Sequence, residues 1–148
     1  MKLRDCGLRF TRQRIDLAKL LFGNGGRHFT ADMLHSEARG ANIPVSLATV
    51  YNTLQHFAKA GLIRKLSTGG QTTWFDTNIS EHHHLYYEDE NLIADVPEGY
   101  LSVSNLPPVP EDMEIDRVDV VIRLKRRDGG ENVEASHQPG QAAETDLP

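Results

Sequence analysis

Ser46-Leu47-Ala48-Thr49-Val50-Tyr51-Asn52-Thr53-Leu54 combines a helix start with an unusual polar surface. Ser46 stands two positions after Pro44, and its hydroxyl can accept from the free N–H groups of a first helical turn. From there Leu47, Val50, Leu54, Phe57 and Ala58 recur at helical spacing and predict one buried face. The other face carries Thr49, Tyr51, Asn52, Gln55, His56 and Lys59, which are hydroxyls, amides and one cation in place of the Glu/Lys mixture of an ordinary solvated helix. Such groups suit base edges and phosphates, so this helix is expected to touch nucleic acid.

On the N-terminal side, Thr30 predicts the cap of a helix with Met33, Leu34 and Ala38 inward, closed by Gly40 and a turn over residues 42–44. Thr11 predicts another, with Ile15, Ala18, Leu21 and Phe22 inward, ended by Gly23-Asn24-Gly25-Gly26. A short helix over residues 2–9, broken at Gly7, precedes it. On the C-terminal side, Gly61 ends the Ser46 helix. Residues 62–66, a turn over 67–70 and residues 71–75 then predict a β-hairpin. Three helices followed by a hairpin is the order of a winged helix-turn-helix, whose last helix enters the major groove while the hairpin lies over the backbone.

Beyond this first domain, residues 1–78, the texture changes. Residues 84–87, 91–94 and 116–124 look extended, with Glu88-Asp89-Glu90 as a charged turn between the first two. In the last of them Val118, Val120, Ile122 and Leu124 predict a buried face, and residues 97–106 predict a short helix. Residues 79–127 therefore read as a small α/β dimerisation domain, too small to be stable without a second copy. Residues 128–148 have little to bury and read as a disordered tail. The expected class is α+β: an N-terminal winged helix-turn-helix followed by that α/β domain.

Charge follows the same division. Residues 1–75 hold eleven Lys or Arg against four acids, a balance of +7, and the rest of the chain balances at −12; the total of −5 over 148 residues conceals the split. The first half attracts a polyanion and the second is repelled by one. With Cys6 as the single cysteine there is no intramolecular disulfide and no structural zinc site of the multi-cysteine kind, and a reducing cytoplasm is the expected home. No apolar run approaches the roughly 20 residues needed to span a membrane. Phosphate loops, nucleophile elbows and His-Glu-x-x-His motifs do not occur, so nothing points to an enzyme.

Three of the seven histidines are consecutive: His82-His83-His84. On an extended segment His82 and His84 point the same way, and Asp76 and His28 are candidates for further ligands. Imidazole with carboxylate suits zinc, manganese or iron(II). The same triplet, followed by Leu85, Tyr86 and Tyr87, suits haem iron and a porphyrin face, so two ligand chemistries stand side by side. His35 and His56 read as surface residues, Asp16, Asp32 and Glu37 as helix-surface acids, and His137 falls in the tail.

Thr11-Arg12-Gln13-Arg14, His28-Phe29-Thr30-Ala31-Asp32-Met33-Leu34, Ser46-Leu47-Ala48-Thr49-Val50-Tyr51 and the His triplet together resemble the ferric uptake regulator family of metal-responsive repressors, over about residues 3 to 125. The resemblance implies a homodimer with N-terminal winged-helix domains, a C-terminal dimerisation domain and a regulatory metal at the hinge. It places Arg9 where the family reaches the minor groove and Tyr51 where it packs on thymine methyls. His28, Asp76 and the triplet fall on hinge-ligand positions, with the choice among His82, His83 and His84 left open.

Several departures matter. The family's paired Cys-x-x-Cys motifs are missing, no histidine lies between Leu85 and Ser136 to build a second regulatory site, and Asn52 stands where arginine is common. Asn reads adenine and Arg reads guanine, so the operator should differ. These features, with residues 45–54, 75–78 and 117–127, are similar to the iron response regulator branch, which implies haem held by His82, His83 and His84, perhaps joined by His28, and control of iron homeostasis and haem synthesis genes at low iron. Some members of the branch add a Cys-Pro haem motif; here Gly7 follows Cys6, and the sequence leaves haem-triggered degradation undecided. The sequence therefore predicts a repressor and activator that binds an A/T-rich inverted repeat through residues 46–59, with Arg9, Thr11, Arg12, Ser46, Thr49, Tyr51, Asn52, Gln55, Lys59 and Lys65 as contact residues, released by haem. The alternative is a regulator gated by manganese or iron(II) at His28, Asp76, His82 and His84.

Overall fold

Three hydroxyl caps start three helices. In the computed structural model, which describes residues 9, 11–23 and 25–128, Thr11 accepts from the Arg14 N–H at 3.2 Å, Thr30 from Met33 at 3.2 Å and Ser46 from Thr49 at 3.1 Å. The helices are α1 (Arg12–Phe22), α2 (Ala31–Gly40) and α3 (Leu47–Lys59). Each cap satisfies an otherwise unpaired N–H and is worth ~1 kcal/mol. The expected helix over residues 2–9, apart from Arg9, lies outside the described residues, as do Cys6, Asn24, His137 and the tail beyond Asp128.

The helix ends are equally local. Gly61 takes φ +77° just past α3, and the Leu62 N–H reaches the Phe57 carbonyl at 3.0 Å, a closure that needs the left-handed residue between. α2 runs through Gly40 rather than closing on it. Asn42, at φ +57°, is its left-handed residue, and Ile43 donates to the Ala38 carbonyl at 2.8 Å.

Leu17, Leu21, Leu34, Ala38, Val50, Leu54 and Phe57 bury one face of each helix against Phe29, Ile63 and Phe75. Two expected core residues are not in it: Leu47 and Met33 are each 41% exposed. Both stand in the first turn of their helix, where too little of the neighbouring structure reaches to cover them. Leu17 and Thr53, which spacing did not single out, are buried instead.

The sheet of this unit has three strands, β1 (His28–Phe29), β2 (Arg64–Leu66) and β3 (Trp74–Asp76), in the order β1-β3-β2 and antiparallel throughout. The hairpin is present with shorter strands than expected, so its loop covers residues 67–73. The sequence predicts no strand at β1. Two residues carry no period-2 signal, and the strand exists because β3 supplies its partners, His28 opposite Asp76 and Phe29 opposite Phe75. Stacking of the Phe29 and Phe75 rings, centroids 5.7 Å apart, fastens it.

A second compact unit begins at Glu81. There β4 (His84–Tyr87) pairs antiparallel with β5 (Leu92–Asp95) and parallel with β6 (Val121–Leu124). The Glu88-Asp89-Glu90 turn is held from β6 and beyond: Arg123 meets Glu88 at 3.2 Å, the Arg126 N–H donates to Asp89 at 2.8 Å, and the Arg126 guanidinium pairs with Glu90. The helix expected over 97–106 is absent and the β5–β6 crossover has no regular structure. Pro97 heads that stretch and Pro107, Pro108 and Pro110 follow it, each without an N–H to give to a helix. The strand expected over 116–124 shrinks to four residues, and Ile122 is 37% exposed rather than buried, because β6 is an edge with one neighbour. The architecture is mixed α and β, and no described helix is long and apolar enough to cross a membrane.

Phe57→Ala should lower unfolding free energy by ~3–5 kcal/mol, whereas Leu47→Ala should cost less than about 1 kcal/mol. Urea denaturation of the two variants checks the assignment of the buried stripe, and a larger loss at Leu47 would refute it.

Candidate functional site

In the first unit the sheet register puts two cationic or cation-binding side chains on either side of one carboxylate. Asp76, at the end of the middle strand, is 1% exposed; His28 stands opposite it on β1 and Arg64 opposite it on β2. His28 Nε2 is 3.2 Å from Asp76 Oδ2, while Asp76 Oδ1 accepts from the Asn78 N–H at 2.8 Å. The two oxygens thus have separate tasks: one shapes the turn after β3 and the other faces the imidazole. Arg64, itself buried, donates from Nη1 to the Ser80 carbonyl at 2.8 Å.

In the second unit the extended backbone divides the histidine triplet. His82 and His84 lie side by side, ring centroids 4.5 Å apart, and both Nε2 atoms face Asp95 Oδ1, at 3.2 and 3.6 Å. Asp95 sits opposite His84 in the β4–β5 register. His83 points elsewhere: its Nδ1 accepts from the Val120 N–H at 3.2 Å, and its carbonyl accepts from the Val96 N–H at 2.9 Å. The choice left open by the sequence narrows to His82 and His84 for the shared donor group, with His83 joining the strand ladder. Asp95 was missed because it is one acid in a strongly acidic half. The available signal was the hairpin register, which sets it across from His84.

Both donor groups consist of imidazole nitrogen and carboxylate oxygen with no thiolate, a set that suits manganese, iron(II) or zinc.

The expected contact surface on the first unit is partly spoken for. Thr11 and Ser46 cap helices, and Ser46 Oγ also donates to Thr49 Oγ1 at 2.9 Å. His56 is exposed, as expected, and its Nδ1 meets the Arg14 guanidinium, which also donates to the Arg9 carbonyl. His35, expected at the surface, is half-buried and bonds the Val45 carbonyl through Nε2. Arg9, Arg12, Asn52, Lys59 and Lys65 are exposed, Tyr51 is 40% exposed and Gln55 is half-buried. Leu47, Ala48, Tyr51 and Asn52 of α3 form one wall of a groove of about 690 Å³, with Thr30, Ala31 and Asp32 and the hairpin loop residues Gln71, Thr72 and Thr73 around it.

Comparison with known proteins identifies relatives of the chain. The chain is 36% identical over 93 residues to the peroxide operon regulator of Bacillus subtilis and 34% identical over 94 residues to the peroxide-responsive repressor PerR of Staphylococcus aureus, in each case over 63% of this chain. It spans 63% and 62% of the length of those relatives. Its fold is similar to that of the ferric uptake regulator from Pseudomonas aeruginosa, a structure with manganese, at a TM-score of 0.66 and 21% identity over 85% of this chain and 96% of that one. Members of the ferric uptake regulator family are transcription regulators and not enzymes. The family's model matches residues 5–105, well over half of the sequence, and the chain belongs to the ferric uptake regulator family.

Proposed function

We propose that the chain is a homodimeric, sequence-specific DNA-binding transcription regulator whose hold on DNA is set by a divalent cation at His28, Asp76, His82 and His84, with Asp95 as a fifth donor. The observation that carries this reading is the convergence of His82 and His84 Nε2 on one Asp95 oxygen. Two imidazoles aimed at a single carboxylate make half of a coordination shell for a small cation, and the His28–Asp76 pair offers two more donors. Neither group alone supplies four ligands, and only five residues, 77–81, separate Asp76 from His82 in the sequence. One ion drawing on both groups is the simplest use of them. Nitrogen and oxygen donors without sulfur fit manganese, iron(II) or zinc, and family membership supports a metal effector. When bound, the ion supplies a charge that the two carboxylates share and ties together the residues that hold it.

The DNA-binding part is read as a winged helix-turn-helix, with α3 in the major groove and the loop over residues 67–73 as the wing. Arg9, Arg12, Lys59 and Lys65 are exposed cations for phosphates or the minor groove, and Thr11, Ser46 and Thr49 hold the helix starts that aim α3. The second unit supports dimerisation: Leu85, Tyr87, Leu92 and Ile122 share one face of its sheet, and Leu92 is 50% exposed there. A second copy would cover that face.

A second reading is haem as effector, with the iron homeostasis and haem synthesis genes of the iron response regulator branch as targets. It is supported by the three consecutive histidines, and His82 keeps an accessible edge at 13% exposure. Against it, both Nε2 atoms face a carboxylate at short range, which suits a small ion better than a macrocycle.

The two readings differ in sign, because a ligand tightens DNA binding only when the DNA-competent form binds it better. Fluorescence anisotropy of the full chain on an A/T-rich inverted-repeat duplex, with chelator, manganese or haem at two salt concentrations, separates them. Manganese-dependent binding that weakens steeply with salt is expected. Chelator-resistant binding released by haem would replace the cation with haem, and the absence of binding in every condition would reject a DNA-binding role.

A second expectation concerns the donors themselves. Losing an outer partner of a metal ligand already costs ~10–100-fold in affinity, so His82→Ala and Asp95→Ala should each weaken manganese binding by about 100-fold or more. His83→Ala should leave manganese affinity near the wild-type value while lowering the unfolding midpoint, since the Val120 N–H loses its acceptor. Isothermal titration of the three variants decides, and an equal loss of affinity at all three contradicts the division of the triplet.

A further inference from the structure

Resting on the DNA-binding reading above, we infer that DNA binding by this chain is coupled to proton uptake at His56, which acts as a catch on Arg14. Neutral His56 holds the guanidinium back, and a proton on its ring releases Arg14 to a phosphate. Arg14 stands in the first turn of α1 and is half-buried. Its Nη2 meets His56 Nδ1 at 2.5 Å and its Nη1 donates to the Arg9 carbonyl at 3.2 Å, so one side chain ties α3 to the chain ahead of α1. A guanidinium has only donors, so Nδ1 must be the acceptor and carry no proton. An imidazolium has N–H on both ring nitrogens and cannot accept, and it would set a second positive charge against the first. The bond and the proton therefore exclude each other at Nδ1.

The partners of Arg14 make the catch releasable. It is a cation held by two neutral acceptors, an imidazole nitrogen and a backbone carbonyl, and among the described residues no carboxylate is bonded to it or to His56. A phosphate oxygen bonds a guanidinium roughly twice as strongly as a neutral acceptor does. His56 is exposed, with Lys59 one turn further along the same side of α3, the side proposed to meet DNA. A duplex lying there draws Arg14 off Nδ1 and leaves the ring free to take a proton from solvent and pair with phosphate itself. Release also unties the Arg9 carbonyl, so the exposed Arg9 side chain gains freedom at the same moment.

Other charged and titratable groups on the elements around α3 are engaged elsewhere. On α1, Arg12 is 4.0 Å from Asp16. On α2, Glu37 is paired with Arg27, His35 is bonded to the Val45 carbonyl, and Asp32 lines the groove beside the first turn of α3, the end away from His56. In the sheet Asp76 pairs with His28, and Arg64 holds the Ser80 carbonyl. Lys19, Arg39, Lys59 and Lys65 are exposed cations. His56 is thus the group through which a proton reaches the junction of α1 and α3, since imidazole changes charge between about pH 8 and 5. One proton taken up per protomer makes affinity rise by up to about tenfold for each pH unit of acidification, and each added phosphate contact steepens the dependence of log affinity on log salt by about 0.9.

Fluorescence anisotropy of the full chain on a mixed-sequence duplex at low salt, where phosphate contacts dominate, tests the coupling at about pH 8 and about pH 6, with manganese and with chelator. His56→Gln keeps the catch shut, because its amide oxygen accepts from Arg14 at either pH. Protons also compete with manganese for histidine donors, a loss that both proteins share and that their comparison removes. On acidification the wild type should gain on the order of tenfold in affinity over His56→Gln, with a steeper salt dependence. His56→Lys, which cannot accept, should bind at about pH 8 as tightly as the wild type does at about pH 6. Parallel behaviour of wild type and His56→Gln overturns the coupling, and a full pH gain that persists in Arg14→Ala overturns the catch, since His56 would then act as a plain cation. If the wild type retains no duplex at either pH in either condition, the DNA-binding reading falls and this inference with it.

Discussion

Asp76 is a carboxylate with 1% of its surface exposed, and the first unit is arranged around the need to accompany it. An isolated buried carboxylate costs several kcal/mol, so its neighbours must bring donors or positive charge. The middle position of β3 makes that possible, because a central strand has partners on both sides: His28 on β1 and Arg64 on β2. This explains why a strand of two residues persists. β1 consists of His28, which faces Asp76, and Phe29, which stacks on Phe75 in the hydrophobic core. The pairing continues past the strand ends, where Arg27 and Thr77 exchange bonds of 2.8 and 3.1 Å. Arg27 also grips Glu37 of α2 with both Nη atoms of its guanidinium, at 2.7 and 2.9 Å, so the strand that carries His28 is tied to the helix that follows it.

The second unit solves a different problem with strand periodicity. Three histidines in a row cannot all face one way on extended backbone. His82 and His84 take one side with Asp95, and His83 takes the other and spends its Nδ1 on the Val120 N–H. The bond does more than occupy a nitrogen. A slip of one residue in the pairing would turn His83 toward Asp95 and its neighbours away, and it would also strip Val120 of its acceptor. His83 therefore favours the register in which the other two histidines converge.

What could be read from the sequence follows from how local the responsible interaction is. Thr11, Thr30 and Ser46 announced three helices because a cap involves atoms three residues apart. β4 and the start of its turn were legible from the aromatic run and the acids that follow it. β1 was not, since its partners lie far along the chain and a dipeptide has no periodicity. Met33 and Leu47 were misplaced because helical spacing gives the direction of a side chain, not whether anything lies in that direction. Residues 97–106 taken alone have the pattern of a short helix, and it is the prolines at 97, 107, 108 and 110 that keep the crossover before β6 irregular. In the donor groups, His28, Asp76 and the triplet stood out by residue type, whereas Asp95 required the register of a hairpin.

Charge also limits how an ion could act on DNA binding. The half that contains the triplet balances at −12, and a divalent cation changes that by only two. With a Debye length of about 8 Å at physiological salt, the direct pull of such an ion on a distant phosphate is weak. On the proposed reading, gating would then come from geometry, with the ion favouring one placement of the residues that hold it and DNA favouring the same one. Among the described residues no lysine or arginine lines the groove beside α3, so on the proposed DNA-binding reading the attraction for phosphates would rest on the exposed cations elsewhere on the first unit.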